Sequence, residues 1–308
     1  MNLEHCEIDI DTCDESIMGG GILPYSIIDG EFALLLAQER QVMHWRGSQK
    51  WSGFEGGRKP EETVISAISR EFQEESLAVC HIGKNSNQYV KINDINNTIH
   101  GKKYAMAIGL RVLDDFKKRE HITFVVRIDF DKHYQTKFTC IRNQIIGLYK
   151  IYEEYNSIKF NNLPDYSNTY DGNYIETIQK VINNGNDRMT VVCKNNYEFE
   201  IQLDYDESYI KNMSLKVYLL EMIKKYLNLY PDTKCHPCVD LSNGIHNIKI
   251  NEDFLEKQAI RYWNYTDLKK VLQNGGFLDE DVFRAYFIPV LQTVVENVDY
   301  LKTRPISG

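Results

Sequence analysis

The stretch that decides the fold is GGRKPEETVISAISREFQEES, residues 56–76. Within it Ile65, Ile68 and Phe72 recur at helical spacing, which predicts an amphipathic helix with one core-facing stripe. Pro60 suits the first helical position, and the two glutamates after it suit the positive end of the helix dipole. The sequence therefore predicts a helix that begins at Pro60 and runs to the end of this stretch.

The C-terminal end of this helix carries a cluster of negative charge, formed by Glu71, Glu74 and Glu75. The three side chains fall within an arc of about 100°, beside the apolar stripe. Like charges at these spacings cost a few tenths of a kcal/mol per pair, and they also face the negative end of the dipole. One explanation of the cluster is a solvent-exposed acidic face that binds no ligand. A divalent cation explains the cluster directly, because Mg²⁺ and Mn²⁺ prefer carboxylate oxygens and keep waters for substrate phosphates.

The order of these residues resembles the Nudix box, the signature of the Nudix hydrolases. The chain runs from Gly56 through five residues to Glu62, then through seven residues to Arg70-Glu71-Phe72-Gln73-Glu74-Glu75. One position departs from the family pattern. Leu77, followed by Ala78, stands where the family usually has glycine, so we expect the helix exit to be built differently.

The resemblance implies an α/β fold, a Nudix α/β/α sandwich with a mixed sheet. It covers residues 15–140, with the box at 56–78, and residues 246–305. Between these two parts, residues 141–245 carry apolar residues at helical spacing, and we expect them to form a mostly helical insertion.

The resemblance also implies a metal site and a hydrolytic reaction at a pyrophosphate linkage. By position, Glu71, Glu74 and Glu75 would hold Mg²⁺ or Mn²⁺, and the Gly56 carbonyl would add an oxygen. Arg70 would orient the carboxylates through charge-assisted hydrogen bonds.

Two further roles follow from the same resemblance. Glu62 would support the geometry between the loop and the helix. The base that accepts a proton from the attacking water would be Glu74 in the first place, then Glu75, then Glu256, because the family's base varies in position.

The segment from Glu39 to Lys59 is locally basic in a chain of net charge −8, with five basic residues against two acidic ones. It also carries two tryptophans, which could stack on a base, above all on a positively charged methylated guanine. For Trp51, as for Trp263, a place in the core is the alternative. The candidate substrate-binding residues are Trp45, Arg46, Lys50, Trp51, Arg58 and Lys59.

Several functions remain open at the level of sequence. The first is a metal-dependent hydrolase of a nucleotide-containing diphosphate. Capped RNA is one candidate substrate, because a helical insertion is similar to the additions of the decapping Nudix enzymes of large DNA viruses. Small conjugates such as ADP-ribose, dinucleoside polyphosphates and diphosphoinositol phosphates are the others. A catalytically silent nucleotide-binding module and a partner-binding protein are the alternatives from other classes.

The overall charge and composition of the chain limit which binding partners we expect. The net charge of −8 argues against a generic polyanion binder, so RNA would have to contact the local basic loop. Seven irregularly spaced cysteines indicate reduced thiols, and the CHPC sequence at 235–238 lacks the second pair that a zinc site needs. No long apolar run or signal segment is present, so we expect a cytoplasmic protein without membrane contact. The oligomeric state is open.

The remaining elements are predicted from periodicity and turn signals. Two strands are expected on either side of the turn Asp29-Gly30, and two more within residues 104–131. Residues 83–100 are expected to be a polar loop. Helices are expected at 143–155 and 174–185 and up to Pro231, with a hairpin that turns at Asn195-Asn196. Strands are expected at 246–251 and 259–265. Thr266 is the expected cap of a short helix, and a last helix from Asp279 is expected to kink at Pro289.

Overall fold

The computed structural model describes residues 2–6, 17–82, 89–114, 117–158, 178–183, 188–193, 198–202 and 207–306. The chain divides into two compact units. The first comprises Met1–Gln144, Cys235–Val239 and Lys249–Gly308, and the second comprises Ile145–Lys234 and Asp240–Ile248. None of the described helices is long and apolar enough to cross a membrane.

The strands of the described residues are numbered in chain order. They are β1 (Asn2–Cys6), β2 (Ile17–Ile28), β3 (Glu31–Glu39), β4 (Trp51–Ser52), β5 (Phe54–Gly57), β6 (Met106–Asp114), β7 (Lys117–Arg127), β8 (Ile178–Asn183), β9 (Arg188–Cys193), β10 (Glu198–Gln202), β11 (Val239–Asp240), β12 (Lys249–Ile250), β13 (Lys257–Asn264), β14 (Phe277–Leu278) and β15 (Asp281–Val282).

The helices are numbered in the same way. They are α1 (Val64–Glu75), α2 (Ile92–His100), α3 (Tyr134–Ser157), α4 (Glu207–Leu229), α5 (Pro231–Lys234), α6 (Tyr265–Gln273), α7 (Phe287–Glu296) and α8 (Val298–Lys302), with 3₁₀ turns at Ile245–Asn247 and Glu252–Leu255.

A mixed eight-stranded sheet forms the centre of the first unit. Its order is β1-β6-β7-β2-β3-β13, with β4 paired to β3 and β5 paired to β2. The β2–β7 pair is parallel, and the other pairs are antiparallel. The predicted turn between β2 and β3 is confirmed, because Asp29 and Gly30 both have positive φ, at 50° and 83°.

Helices cover both faces of this sheet. On one face α1 lies so close to β2 that a Cβ on Gly20 would stand 2.6 Å from the Ile68 side chain. The Phe72 ring meets the Phe54 ring edge-on, with centroids 5.3 Å apart. On the other face, Leu34 and Leu36 of β3 share a buried cluster with α6, α7 and α8. The mixed α/β class with helices on both sides of a mixed sheet is therefore confirmed.

The box helix begins at Val64, four residues later than predicted. The Thr63 hydroxyl accepts a hydrogen bond from the Ser66 amide and so caps the helix. Glu61 lies at a φ of 69°, and the Glu62 amide donates to the Lys59 carbonyl, which makes a turn before the cap. Pro60 and the two glutamates after it therefore precede the helix, and this prediction was wrong.

The exit of α1 is built without glycine. Leu77 and Ala78 both have left-handed backbones, at φ values of 52° and 53°, and both side chains are completely buried. Non-glycine residues in this region cost of order 1 kcal/mol or more each, so surrounding contacts must hold them there. His236 supplies one such contact, because its Nε2 lies 2.9 Å from the Leu77 carbonyl oxygen.

The His236 ring has a defined tautomer. The Cys238 amide donates to its Nδ1 at 3.1 Å, so Nε2 carries the proton that is donated to Leu77. The ring is 1% exposed. Burial lowers the pKa of His236 to about 4. The CHPC sequence therefore serves the helix exit, and its two cysteines are free thiols.

Two predicted segments of the chain have a different secondary structure. Within the expected polar loop, α2 forms at Ile92–His100 and buries Ile95 and Ile99. Its asparagines have low helix propensity, and for that reason the segment was predicted to be a loop.

Where a helix was predicted at 174–185, residues Ile178–Asn183 form β8, which pairs antiparallel with β9. Pairing with a neighbouring strand overrides a local helical pattern. The β9–β10 hairpin is present, although its turn lies outside the described residues. In the described residues, the second unit combines the helical part of α3, α4 and α5 with the three-stranded sheet β10-β9-β8, which the sequence prediction gave only as a hairpin.

The last helices also begin elsewhere than predicted. Asn264, not Thr266, caps α6, because its side chain accepts from the Asp267 amide. The final helix is divided into α7 and α8, and α7 begins at Phe287 after a short β14–β15 pair. Pro289 therefore lies in the first turn of α7, where proline is tolerated, and not in the interior of a longer helix as predicted.

The burial of His236 predicts a pH dependence of stability. Its folded pKa is depressed, so between pH 6.5 and about 4 the unfolded state takes up a proton that the folded state does not. The stability that this group contributes above pH 6.5 is therefore lost as the pH falls. We expect His236→Gln to remove about 2 kcal/mol of the decline in unfolding free energy between pH 7 and pH 5.

Urea unfolding at the two pH values, followed by circular dichroism, measures this difference. His100→Gln, at an exposed position in the last turn of α2, is the matched control and should keep the wild-type slope. An unchanged slope in His236→Gln would contradict the assignment.

Candidate active site

Arg70 gathers three carboxylates at the surface of α1. Its Nε and Nη2 donate to the two oxygens of Glu62 at 2.6 and 3.0 Å. Its Nη1 donates to Glu71 at 2.7 Å and to Glu74 at 2.8 Å. The fork geometry of the Glu62 pair fixes the guanidinium plane, and charge-assisted bonds of this kind are about twice as strong as neutral ones. The carboxylates of Glu71 and Glu74 are thereby held on the same nitrogen atom.

The backbone of β5 closes against this pair at Gly56. A Cβ at that position would stand 2.2 Å from the carboxyl carbon of Glu71 and 2.4 Å from each of its oxygens. Any side chain there would displace the carboxylate. Gly56 therefore allows β5 and the Glu71 carboxylate to lie in contact.

Burial shapes the acidity of this pair. Desolvation raises the pKa of Glu71 and of Glu74, and the Arg70 guanidinium opposes that rise in both. The hydrogen bonds from Arg70 lower the pKa of Glu62. Two acids with elevated pKa values therefore lie beside one that is held ionised, an arrangement typical of functional sites.

Glu75 lies on the same helix but has different partners. Its Oε1 lies 2.9 Å from Lys257 Nζ, and its Oε2 accepts from the Glu55 amide at 2.6 Å. Burial raises the pKa of Glu75 well above its ordinary value, and the Lys257 ammonium opposes that rise. Both oxygens of Glu75 accept hydrogen bonds from N–H groups, and these partners fit the ionised carboxylate, which only accepts.

The donor set fits a divalent cation at Glu71 and Glu74. In the described part of the chain, no three His, Cys, Asp or Glu side chains form a group that could hold a metal. Mg²⁺, however, is commonly held by one or two carboxylates together with waters and substrate phosphates. Glu71 Oε2 accepts no hydrogen bond from the described residues, so it keeps a free ligand atom. Glu75 is engaged by Lys257, so it does not belong to this donor set.

The predicted substrate-binding residues are placed unequally. Trp45 is 42% exposed, with the Arg284 guanidinium 5.4 Å from its ring centroid. Trp51 is 3% exposed, donates to Asp281 at 2.6 Å and meets Trp263 edge-on. Trp51 and Trp263 thus belong to the core, and we propose no stacking role for them.

The basic residues of this segment lie near the surface. Arg46 is exposed, and Lys50 and Arg58 are partly exposed. Lys59 Nζ forms an exposed ion pair with Asp253 at 3.0 Å, a contact worth little by itself. Glu256 is also exposed, and its charge contributes to the raised pKa of Glu71.

Several neighbours of the site carried no signal in the sequence. They come from distant segments that only the fold brings together, and no local motif marks them. They are Glu39, Glu55, Asn251, Lys257, Arg284 and Tyr286.

No family model matches the sequence, and no curated protein matches it. Among solved structures, a C. elegans Ap4A hydrolase in a binary complex is similar at 16% identity and a TM-score of 0.23, over 36% of this chain and 65% of that one. The NUDIX domain of Shewanella oneidensis NrtR, complexed with ADP ribose, is similar at 10% identity and a TM-score of 0.25, over 40% and 68%.

A Nudix hydrolase from M. smegmatis, RenU, is similar at 14% identity and a TM-score of 0.24, over 36% of this chain and 61% of that one. The alignment thus spans less than two thirds of the Ap4A hydrolase and of RenU. The structural neighbours include Nudix proteins, but TM-scores this low carry no argument about function.

The contact at Gly56 predicts the effect of a single methyl group. Gly56→Ala should displace the Glu71 carboxylate, lower the unfolding free energy by about 1–3 kcal/mol and weaken Mn²⁺ binding about tenfold or more. Gly57→Ala is the matched control, because a Cβ there meets only the Met18 carbonyl oxygen at 4.0 Å. Urea unfolding and isothermal titration with Mn²⁺ measure both quantities. Equal behaviour of the two variants would contradict the contact.

Proposed function

We propose that this protein is a metal-dependent hydrolase of the Nudix type, which cleaves a phosphoanhydride bond in a nucleoside diphosphate-linked substrate. The observation that carries the proposal is the Glu71–Glu74 pair, held on one nitrogen of Arg70, with the Glu71 carboxylate in contact with Gly56. A chain selected only for stability gains nothing from like charges placed together at a helix end. Binding of a cation and a diphosphate would account for this arrangement of carboxylates.

Each residue of the network has a defined part in the proposed reaction. Glu71 and Glu74 would hold Mg²⁺ or Mn²⁺, and a cation bound there would neutralise the diphosphate and acidify a water ligand. Arg70 keeps the two carboxylates in place, and Glu62 keeps Arg70 in its plane. The Gly56 carbonyl is proposed as a further oxygen donor.

Glu74 is the base that we propose for the attacking water. Its Oε1 has only a long contact of 3.4 Å with Asn251, so it is available to accept a proton. Glu75 is a weaker candidate because both of its oxygens have partners. Glu256 is exposed and remains the third candidate.

The test is turnover of a substrate panel in Mg²⁺ and in Mn²⁺. The panel contains cap-labelled RNA, ADP-ribose, dinucleoside polyphosphates and diphosphoinositol phosphates. Glu71→Gln and Glu74→Gln should each lower kcat/KM by about a hundredfold or more on whichever substrate is cleaved. Glu61→Gln, an exposed glutamate in the turn before α1, is the control and should be unaffected. Tight nucleotide binding without turnover of any substrate would contradict the proposal and favour a silent binding module.

Within this class, we propose capped RNA as the substrate, because an exposed tryptophan stands in a basic segment. The Trp45 ring is accessible, and the Arg284 guanidinium lies near it. Aromatic rings bind nucleobases by stacking, and a methylated guanine adds a positive charge that favours this contact. Arg46, Lys50, Arg58 and Lys59 lie in the same segment and would contact phosphates.

Trp45→Ala tests this choice of substrate. The loss of one stacked base should raise KM for capped RNA about tenfold and leave kcat nearly unchanged. Met43→Ala, which removes an apolar side chain that is 82% exposed in the same loop, is the control. Cleavage of the cap would release 7-methyl-GDP (m7GDP). If cap-labelled RNA releases no m7GDP while small conjugates are cleaved, the substrate is a metabolite and not RNA.

A further inference from the structure

A second charged cluster lies beside the first, and it is buried. Lys257 is completely buried at the start of β13. Its Nζ lies 2.6 Å from Glu39 Oε1 and 2.9 Å from Glu75 Oε1. The same oxygen of Glu39 accepts from Arg284 Nη1 at 2.6 Å. Two carboxylates, Glu39 and Glu75, thus meet two cations.

The two clusters differ in net charge. The two carboxylates that Lys257 contacts, Glu39 and Glu75, meet one ammonium and one guanidinium, so they are matched in charge. Glu55, a further buried carboxylate near Arg284, accepts a hydrogen bond from the Tyr286 hydroxyl. Around Arg70, three carboxylates share one guanidinium, which leaves two negative charges. A divalent cation therefore complements the Arg70 cluster, whereas the place between Glu39 and Glu75 is already occupied by the Lys257 ammonium.

The backbone fixes Lys257 where it is. β13 pairs with β3 from Lys257 onward, and the register places Lys257 opposite Glu39. The Lys257 carbonyl accepts from Arg142 Nε at 2.8 Å. The side chain is fully enclosed and its ammonium contacts both Glu39 and Glu75, so a cation placed at Glu75 would lie next to this positive charge.

We propose that Lys257 is the resident counter-ion of Glu75 and Glu39, and that it confines divalent cations to Glu71 and Glu74. The inference rests on the proposed function, which it sharpens by assigning the third glutamate of the motif to a lysine. Glu75 then anchors the helix to β5 and β13 and is no metal ligand. A site with one cation position is the result.

The consequence is tested by Mn²⁺ binding, which needs no substrate. The protein is stripped with a chelator and titrated with Mn²⁺, and free Mn²⁺ is followed by electron paramagnetic resonance. We expect one ion per wild-type chain. Glu71→Gln should weaken its binding about tenfold or more, whereas Glu75→Gln should leave affinity and stoichiometry unchanged. Equal weakening by the two variants would overturn the inference and leave the proposed hydrolase standing.

A second variant removes the resident cation itself. Lys257→Met leaves two buried carboxylates without their ammonium, so its melting temperature in chelator should fall. Mn²⁺ should restore part of that loss, with a second ion bound per chain. Lys249→Met, at an exposed lysine in β12, is the control and should behave as wild type. A Lys257→Met protein that gains no Mn²⁺ and no stability from it would overturn the inference.

The same titration separates the two proposals. If the wild-type chain binds one Mn²⁺ at Glu71 and Glu74 but cleaves none of the panel, the proposed function fails and the inference about Lys257 stands. A wild-type chain that binds no Mn²⁺ overturns the inference as well.

Discussion

The constraint on which the rest depends is the repulsion among carboxylates crowded at one end of a helix. Within the described residues, two separate cations offset part of it. Arg70, whose guanidinium plane is fixed by Glu62, binds Glu71 and Glu74, and the buried Lys257 binds Glu75. Because a buried charge that loses its partner costs several kcal/mol, removal of either cation would destabilise the packing of this helix against the sheet.

The helix exit is the second place where tertiary contacts hold a costly local structure. Leu77 and Ala78 adopt left-handed backbones although both carry side chains, and both side chains are buried. His236 arrives from far along the chain and donates to the Leu77 carbonyl. A hydrogen bond from a neutral, buried imidazole offsets part of a strain that glycine would not have. The exit therefore depends on a residue that no local motif connects to it.

The periodicity of the sequence predicted secondary structure correctly where a segment buries one face. It failed where pairing with distant strands determined the secondary structure. The hairpin at Asp29-Gly30 follows from turn chemistry that acts within a few residues. The strand Ile178–Asn183 looked helical because its apolar spacing is compatible with both periods. The helix Ile92–His100 was hidden by asparagines, whose propensity is poor, although Ile95 and Ile99 are buried. The start of α1 was misplaced because a capping threonine competes with a proline at the first position.

The sequence by itself determined an amphipathic helix with an acidic cluster beside its apolar stripe, because this spacing acts over one or two helical turns. The α/β class and the contact of Arg70 with the cluster were expected from the resemblance to the Nudix box. Only the tertiary structure decided which glutamates share Arg70 and which one meets Lys257. It also placed Trp51 in the core and left Trp45 exposed. The physical reason is that burial and ion pairing depend on strands that are distant in the chain, and sequence spacing carries no information about them.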